Sequence, residues 1–414
     1  MRTRVAFVVL MAFVAAGCEP KQPQQPLAAG RPASGEAPAA PGAGKPDELV
    51  SGALKSLEKG LDFLFSCQKE DGSIVGADPG SEQAALGAAG LAAAGAARAP
   101  EDLRAKYEPK LQKACEYLLK KQMSDGSFQG KEGLPTYTTA IAVMALHHAD
   151  AGKYLPAIRN GQEYLVKAQY YAEVSPEDLN YGGWTYGLDE KAKSQDANMS
   201  TTHYALMALK ETGYSGNDEV FKRAAVFLQR SQNNSETNDA KGWKVLSDGG
   251  FIYGPGLTRA SADKKGLVDE NGKEYFPSYA SMTYAGFKSL LYARLAKNDP
   301  RVGAALSWIK SNYTLDKNFG MGYRKGEEGV ANQGLYYFYN AFAHAMDAWG
   351  EKEITDAGGT VHNWAAELAR KLIEKQLGDG SWVNPEDRWH EGLKTIVTGY
   401  CVDALDTCVL WLNR

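Results

Sequence analysis

The chain has 414 residues, of which 44% are hydrophobic and 23% are charged, and its formal net charge is -4. This composition is typical of a soluble globular protein, and the slight acidic balance does not indicate a particular partner. No clustered basic stretch is visible, so the sequence does not predict nucleic-acid binding. The length would allow two or three average domains, although a repeat array can occupy all of it in one body.

The first 18 residues have the pattern of a targeting segment. Arg2 and Arg4 precede an apolar run at 5–16 that is too short to span a bilayer. The small residues before Cys18 resemble a bacterial lipoprotein signal, which would make Cys18 the lipidated first residue of the mature protein. The alternative is an ordinary secretory peptide with an incidental cysteine. We expect a protein of the bacterial cell envelope that is anchored to a membrane through a lipid on Cys18, or secreted or periplasmic if Cys18 is not lipidated.

Residues 19–46 are rich in Pro, Ala, Gly and Gln. Such a tract cannot form a core and behaves as a disordered tether. We therefore predict three regions: a lipoprotein-type signal peptide at 1–18, a tether at 19–46 and one folded domain at 47–414.

Helical segments of two kinds alternate along this domain. Segments of the first kind are amphipathic, because leucines and aromatic residues recur every three or four positions with charged residues between them. They lie at 54–68, 110–122, 157–169, 219–232, 302–313 and 364–376. Segments of the second kind are rich in small residues and apolar on most faces, which indicates helices enclosed by other helices. They lie at 82–96, 136–149, 200–213, 279–295, 333–349 and 394–412.

This strict alternation predicts six helical hairpins. Stacked hairpins form either an open superhelix with polar caps or a closed ring. The last apolar segment continues to Trp411 and leaves no room for a capping repeat. We therefore predict an all-α fold, a closed barrel of about twelve helices with the charged helices outside and the small-residue helices inside.

One short sequence recurs after the amphipathic segments. It reads CQKEDGSI at 67–74, KQMSDGSF at 121–128 and KQLGDGSW at 375–382. In each copy, the glycine between Asp and Ser can adopt the left-handed conformation that ends a helix. The Asp and Ser side chains can bond free backbone amides. The Gln side chain can reach a neighbouring helix. We interpret this sequence as a structural link between repeats, with no catalytic role.

These copies resemble the QW motifs of the terpenoid cyclase and protein prenyltransferase superfamily. The resemblance covers roughly residues 50–412 and implies an α/α toroid with a central cavity. Cyclases of this superfamily that protonate a polyene carry an Asp-x-Asp-Asp motif, whereas the similar stretch here, at 196–206, has Asp196 as its only acid. This difference argues against squalene cyclisation. The prenyltransferases bind zinc through an Asp-x-Cys pair and a distant His. This chain has no Asp-x-Cys, so we expect no zinc and no other cofactor.

The cysteines beyond the leader do not suggest a disulfide framework. Cys401 and Cys408 are seven positions apart in a helical segment, roughly 10 Å along its axis, which is too far for a disulfide. Cys67 and Cys115 occupy similar places near the ends of repeat helices and are expected to be buried thiols. We predict neither a disulfide nor a cysteine metal site.

The resemblance places functional groups on inner helices and on the turns at one mouth of the ring. The catalytic candidates are Asp196, His203, His390 and Asp403. The candidate ligand-binding residues are Tyr137, Tyr204, Tyr284, Tyr336, Tyr337 and His344, with Tyr186 and Tyr253 added by long insertions. Each group has a structural alternative. His203 could be a satisfied core residue, the acids Glu386, Asp387 and Glu391 around His390 could be a solvated loop, and the aromatic run at 336–342 could pack between helices.

Three functions remain open at the level of sequence. The first is a toroid that binds an apolar or isoprenoid-like ligand in its central cavity. The second is a non-catalytic scaffold that presents its rim to a cell-envelope protein. The third is a carbohydrate-active enzyme, which would require two carboxylates facing one cleft.

Overall fold

A computed structural model describes residues 46–76, 81–131, 133–170, 172, 174–188 and 195–414. The predicted signal peptide, the lipidation of Cys18 and the tether up to residue 45 lie outside the described residues. The predictions for that part of the chain therefore remain predictions.

Twelve α-helices are present in the described residues. In chain order they are α1 Pro46–Ser66, α2 Glu82–Arg98, α3 Glu101–Lys120, α4 Pro135–Asp150, α5 Leu155–Lys167, α6 Met199–Glu211, α7 Glu219–Ser231, α8 Ala280–Tyr292, α9 Pro300–Ser311, α10 Leu335–Trp349, α11 Trp364–Lys375 and α12 Lys394–Leu412. The odd-numbered helices correspond to the amphipathic segments and the even-numbered helices to the small-residue segments. Each predicted helix is confirmed, although α1 and α3 begin several residues earlier than their apolar periodicity indicated.

The additional elements lie in the long connections between helices. Between α7 and α8, β1 Leu267–Val268 pairs antiparallel with β2 Glu274–Tyr275, and Leu267 lies opposite Tyr275. Between α10 and α11, β3 Ile354–Thr355 pairs antiparallel with β4 Val361–His362. A 3-10 helix at Glu328–Asn332 precedes α10. These elements could not be predicted from the sequence, because two-residue strands are too short to show a periodicity.

The inner helices form a closed ring. Each even-numbered helix packs against the next, and α12 packs back against α2. The outer layer closes at the same place: Gln376 Nε2 donates to the carbonyl oxygen of Ser56, and Ser56 Oγ donates to Gln376 Oε1, both at 2.9 Å. These contacts join residues 320 positions apart and confirm the predicted closed barrel.

Small residues bring the inner helices close together. A Cβ atom added to Gly399 of α12 would lie 2.7 Å from Cβ of Leu91 on α2, and one added to Gly90 would lie 2.5 Å from Cγ2 of Ile141 on α4. Helix α12 is apolar and, at 19 residues, long enough to cross a membrane, but 89% of its apolar window is buried inside the ring. It is a core helix of the toroid.

The repeated sequence links each outer helix to the next. In five copies the Gln side chain donates a hydrogen bond to a backbone carbonyl of the following outer helix. These pairs are Gln68 with Lys110, Gln122 with Ala157, Gln169 with Val220, Gln232 with Arg301 and Gln376 with Ser56. In four copies the backbone N–H of the following aromatic residue donates to an inner-helix threonine, as Trp382 does to Thr398 at 3.1 Å. The predicted role as a structural link is confirmed.

Candidate functional site

The amino-terminal ends of the six inner helices surround a cavity of about 490 Å³ at one mouth of the ring. This volume lies within the range of roughly 300–1,000 Å³ that is usual for small-molecule sites. The cavity is lined by Ser81, Gln83, Ala84, Gly87, Leu134, Tyr137, Thr138, Tyr186, Ser200, Tyr253, Tyr279, Ser281, Met282, Gly334, Tyr337, Trp389, His390, Glu391, Ile396 and Tyr400. Every inner helix or the residue just before it contributes to this lining.

Side-chain caps fix where two of these helices begin. The Ser81 hydroxyl accepts a hydrogen bond from the backbone N–H of Ala84, and the Asn198 side chain accepts one from that of Thr201. These caps satisfy amides that the first turn of a helix leaves free. As a result, Ala84 and Ser200 are held in the first turns of α2 and α6, at the cavity.

Six tyrosines dominate the lining. The Tyr137 and Tyr400 hydroxyls hydrogen-bond each other, and the Tyr186 and Tyr253 hydroxyls do so at 2.7 Å. Burial raises the pKa of the Tyr137, Tyr253 and Tyr400 hydroxyls well above the usual value, so these groups are neutral at physiological pH. The cavity thus presents aromatic surface, with hydroxyl groups that largely bond one another.

Glu391 is a buried carboxyl group in the cavity wall. Its Oε1 accepts a hydrogen bond from the backbone N–H of Tyr337 at 2.7 Å, and its Oε2 accepts one from Asn384 Nδ2 at 2.6 Å. The side chain therefore caps the first turn of α10. Burial raises the pKa of Glu391 to about 7, even though these hydrogen bonds favour the ionised form. For Glu391 the solvated-loop interpretation is wrong, whereas Glu386 and Asp387 are exposed.

The backbone at the mouth is strained. Leu134, Trp389 and His390 line the cavity with φ angles of 65°, 57° and 68°. Residues other than glycine rarely adopt this left-handed backbone conformation, and those that do cluster at ligand and catalytic sites. The Trp389 ring occupies space beside Gly334, where an added Cβ would lie 3.1 Å from it. Packing of this ring against the start of α10 fixes the direction of the 389–390 turn.

The structure places five of the predicted site residues in the cavity: Tyr137, Tyr186, Tyr253, Tyr337 and His390. Tyr204 lies immediately behind the wall, with its ring 4.5 Å from that of Tyr137. Asp196 does not belong to an inner helix as expected: it precedes α6, is exposed, and lies beside a separate surface depression. It is therefore not positioned to act in the central cavity.

The other two predicted tyrosines are buried in the core. The Tyr284 ring on α8 contacts the Phe342 ring on α10 at 4.9 Å, and the buried Tyr336 ring lies 5.7 Å from that of Tyr339 on the same helix. Neither lines the cavity. The structural alternative for the 336–342 run is correct for Tyr336, while Tyr337 alone of that run faces the ligand space.

His203 lies behind the cavity wall and does not line the cavity. Its ring is 5.7 Å from that of Tyr337 and 4.4 Å from that of Tyr204, and it is 1% exposed. Neither ring nitrogen has a hydrogen-bond partner within the described part of the chain. Burial, and to a lesser degree nearby Lys288, lowers the pKa of His203 well below its usual value, so the imidazole is neutral. It is a core residue, but not the satisfied one that was expected.

His344 and Asp403 belong to an ion cluster deeper in the ring. His344 Nε2 lies 2.6 Å from Asp403 Oδ2, and Arg98 Nη1 lies 2.5 Å from Asp403 Oδ1. Burial opposes ionisation of Asp403, but His344 and Arg98 together hold the pKa of its carboxyl group far below the usual range. This cluster ties α2, α10 and α12 together below the cavity. Its position does not support the predicted ligand-binding role of His344 or the catalytic role of Asp403.

The residues near Cys401 do not fit the zinc site of the prenyltransferases. Cys401 is buried on α12, and burial raises the pKa of its thiol well above the usual value. The neighbouring Asp403 carboxylate is already engaged by Arg98 and His344. In the part of the chain that the structure describes, no group of three or more His, Cys, Asp or Glu residues is arranged to hold a metal ion.

Some lining residues were not predicted from the sequence. Tyr279, Tyr400 and Ser281 were not singled out, although each stands in the first turns of an inner helix or just before it. The common signal was available: the residues at the amino-terminal ends of the small-residue segments face the same mouth. What the sequence did not reveal is which end of the ring is open.

Part of the chain matches a known protein family. Residues 96–251 match the model of the squalene-hopene cyclase C-terminal domain. Over 189 residues the chain is 30% identical to the squalene–hopene cyclase of Zymomonas mobilis subsp. mobilis. That similarity covers 44% of this chain and 25% of the relative, so the matched part amounts to about a quarter of the relative's length.

Solved structures share the architecture at low sequence identity. A variant of a type II terpene cyclase from Scytonema, in complex with merosterolic acid A, is 14% identical with a TM-score of 0.53, covering 88% of this chain and 99% of that one. An inactive variant of an α-1,6-mannanase from a Salegentibacter species, in complex with α-1,6-mannotriose, is 10% identical with a TM-score of 0.53, covering 87% of this chain and 99% of that one. These similarities confirm the fold, and one fold hosts many reactions.

Proposed function

Because the chain is a squalene cyclase-like α/α toroid, we propose that it binds an apolar, isoprenoid-like ligand in its central cavity. The observation that carries this proposal is the tyrosine-lined space of about 490 Å³ at the mouth of the inner ring. Aromatic rings offer a ligand both apolar area and π faces. The partial match to a squalene–hopene cyclase and the terpene cyclase fold support the same ligand class.

The electrostatics of the cavity suit a ligand without charge in its buried part. The hydroxyls of Tyr137, Tyr253 and Tyr400 are neutral, and Glu391, with a pKa of about 7, is largely protonated below neutral pH. An apolar group can therefore be buried against this wall without desolvating a fixed charge. Glu391 also supplies a carboxylic acid that a reaction on such a ligand would use as a proton donor.

A carbohydrate-active enzyme is the second candidate, favoured by the shared fold with a mannanase and by the exposed Trp389 ring at the mouth. Hydrolysis of a glycosidic bond usually needs a pair of carboxyl groups across one cleft. Among the described residues that line the cavity, Glu391 is the only Asp or Glu. This composition favours the apolar ligand.

The proposal is tested by filling the cavity. Ala84 lines the space and is partly exposed, so Ala84→Trp would occupy ligand volume without disturbing the packed core. Ala105→Trp is the matched control, because Ala105 is exposed on outer helix α3. Calorimetric titration with farnesol should show binding to the wild type and to Ala105→Trp, and strongly weakened binding to Ala84→Trp. A lack of farnesol binding by the wild type would refute the proposal for this ligand class.

We also propose that the protein is exported and anchored in the cell envelope through a lipid on Cys18, as its sequence pattern indicates. Detergent phase partitioning of the full chain expressed in a bacterium should recover the wild type in the detergent phase. Cys18→Ser should move it to the aqueous phase, because a protein without its lipid loses the anchoring free energy of the buried chains. Equal partitioning of the two proteins would contradict the anchor and favour an ordinary secretory peptide.

A further inference from the structure

Two arginine side chains stack on aromatic rings that line the cavity. Arg259 Cζ is 4.9 Å from the ring centre of Tyr253, and Arg388 Cζ is 4.2 Å from the ring centre of Trp389. Both rings line the cavity. Arg388 Nη1 donates a hydrogen bond to the backbone carbonyl of Arg259 at 3.1 Å, so the two residues are direct neighbours.

Neither of these guanidinium groups has a carboxylate partner within 4.0 Å in the described part of the chain. Arg388 Nη1 bonds only the neutral oxygens of Arg259 and Gln333. Burial lowers the pKa of Arg388, and the charge of Arg259 acts in the same direction, whereas the Glu327 carboxylate, which is not within ion-pair distance, acts in the opposite direction. Two neighbouring cations in a partly desolvated place are costly unless an anion joins them.

Other arginines of the chain are arranged differently. Five of them form an ion pair with an aspartate. These pairs are Arg98 with Asp403, Arg230 with Asp239, Arg294 with Asp218, Arg301 with Asp299 and Arg324 with Asp263. Arg104 also lacks a carboxylate partner among the described residues, but its guanidinium group donates to the backbone carbonyls of Ala97 and Ala149. The pair of Arg259 and Arg388 differs because two arginines are direct neighbours beside rings that line the cavity.

We infer that Arg259 and Arg388 form an oxyanion site at the mouth of the cavity, and that the ligand is amphipathic. This inference rests on the proposed function, since it adds a charged head to the apolar ligand of the cavity. A carboxylate or phosphate at one end of the ligand contacts the two guanidinium groups, which are suited to bidentate hydrogen bonds with oxyanions. The apolar remainder extends inward along the tyrosines.

The test compares ligands that differ only in the head group: farnesol, farnesoic acid and farnesyl phosphate. The proteins are the wild type, Arg259→Met, Arg388→Met, the double variant and Arg388→Lys. Arg294→Met is the matched control, because Arg294 also stacks on a ring, 4.7 Å from that of Phe221, but follows the opposite end of α8. Dissociation constants are measured by calorimetry at low and high salt, with unfolding midpoints as the folding check.

The wild type and Arg294→Met should bind at least one of the two anionic ligands at least about tenfold more tightly than farnesol, which corresponds to one charge-assisted contact. This preference should shrink in high salt and fall below about threefold in the double variant, while farnesol binding stays constant. Arg388→Lys should retain part of this preference, because lysine keeps the positive charge but lacks the planar guanidinium group. The anionic ligand whose affinity exceeds that of farnesol by the larger factor identifies the head group.

Equal binding of all three ligands to the wild type would overturn the oxyanion site and leave the cavity proposal intact. A preference that survives in the folded double variant would overturn the assignment to these two arginines. Failure of farnesol to bind would instead count against the cavity proposal itself, so the two failures are distinguishable.

Discussion

Burial decides the protonation state of Glu391. The carboxyl group accepts hydrogen bonds at the start of α10 and yet has a pKa raised to about 7, because burial outweighs these contacts. The sequence predicted acids near His390 at a mouth of the ring. It could not predict that Glu391 points inward, because that depends on the Trp389–His390 turn and on the position of α10, which lies more than forty residues earlier in the chain.

The raised pKa of Glu391 predicts a pH dependence of stability. The unfolded chain releases this proton near pH 4.5, whereas the folded protein keeps it until about pH 7. Between these values the folded state binds more protons, so the free energy of unfolding falls as pH rises, and this contribution levels off above pH 7. Glu391→Gln removes the titrating group and should flatten the curve.

Urea unfolding at pH 5 and pH 8 measures the effect. We expect the stability difference between Glu391→Gln and the wild type to shift by about 2–3 kcal/mol in favour of the variant across this interval. The exposed Glu386→Gln serves as the control and should parallel the wild type. Parallel curves for the wild type and Glu391→Gln would show that Glu391 is not a buried neutral acid.

Each helix was predictable from composition and periodicity, but its boundaries were not. The start of α3 was missed because its first turns are polar and a proline, Pro109, lies inside the helix. Helix α1 likewise begins at Pro46, before the predicted segment at 54–68. The assignment of small-residue helices to the inner ring was correct, because only such helices can approach as closely as α2 and α12 do.

This close packing predicts opposite effects for the same substitution on the two layers. At Gly399 on inner helix α12, a methyl group would lie 2.7 Å from Leu91 Cβ, so Gly399→Ala should destabilise the protein by about 1–3 kcal/mol. At Gly303 on outer helix α9, no atom of the described residues beyond its chain neighbours and its own helix backbone lies within 4 Å of the added Cβ. Gly303→Ala should stabilise it by up to about 1 kcal/mol, because alanine favours the helix.

Chemical denaturation of the two variants beside the wild type measures both effects. The pair is matched, since the residue change is the same and both positions lie within helices. Stabilisation by Gly399→Ala as large as that by Gly303→Ala would mean that the inner ring is looser than the structure indicates.

At the scale of the whole molecule, the repeats were enough to predict a closed ring. The link from Gln376 to Ser56 uses the same geometry as the links between consecutive repeats, so closure requires no special sequence. The cavity was harder to predict. Residues from all six inner helices and from the 389–391 turn form it together, and several predicted residues, such as Tyr284 and His344, instead hold the ring together.

The same ring explains why function follows less directly from sequence than fold does. The repeated motifs maintain the barrel, and similar barrels occur in a terpene cyclase and in a mannanase. The specific chemistry lies in lining residues that the repeats do not constrain. For this chain they include six tyrosines and a buried carboxyl group, and two arginines stack on lining rings. These features are the basis of our proposal of an apolar ligand with a charged end.

The ratio of farnesol dissociation constants between Ala84→Trp and Ala105→Trp tests the central claim most directly. Both variants add the same side chain to a helix, but only the first adds it to the cavity. We predict a ratio of at least about ten, since the new ring removes apolar contact area that the ligand would bury. A ratio near one, with both proteins folded and farnesol bound, would show that the ligand binds elsewhere and would contradict the account.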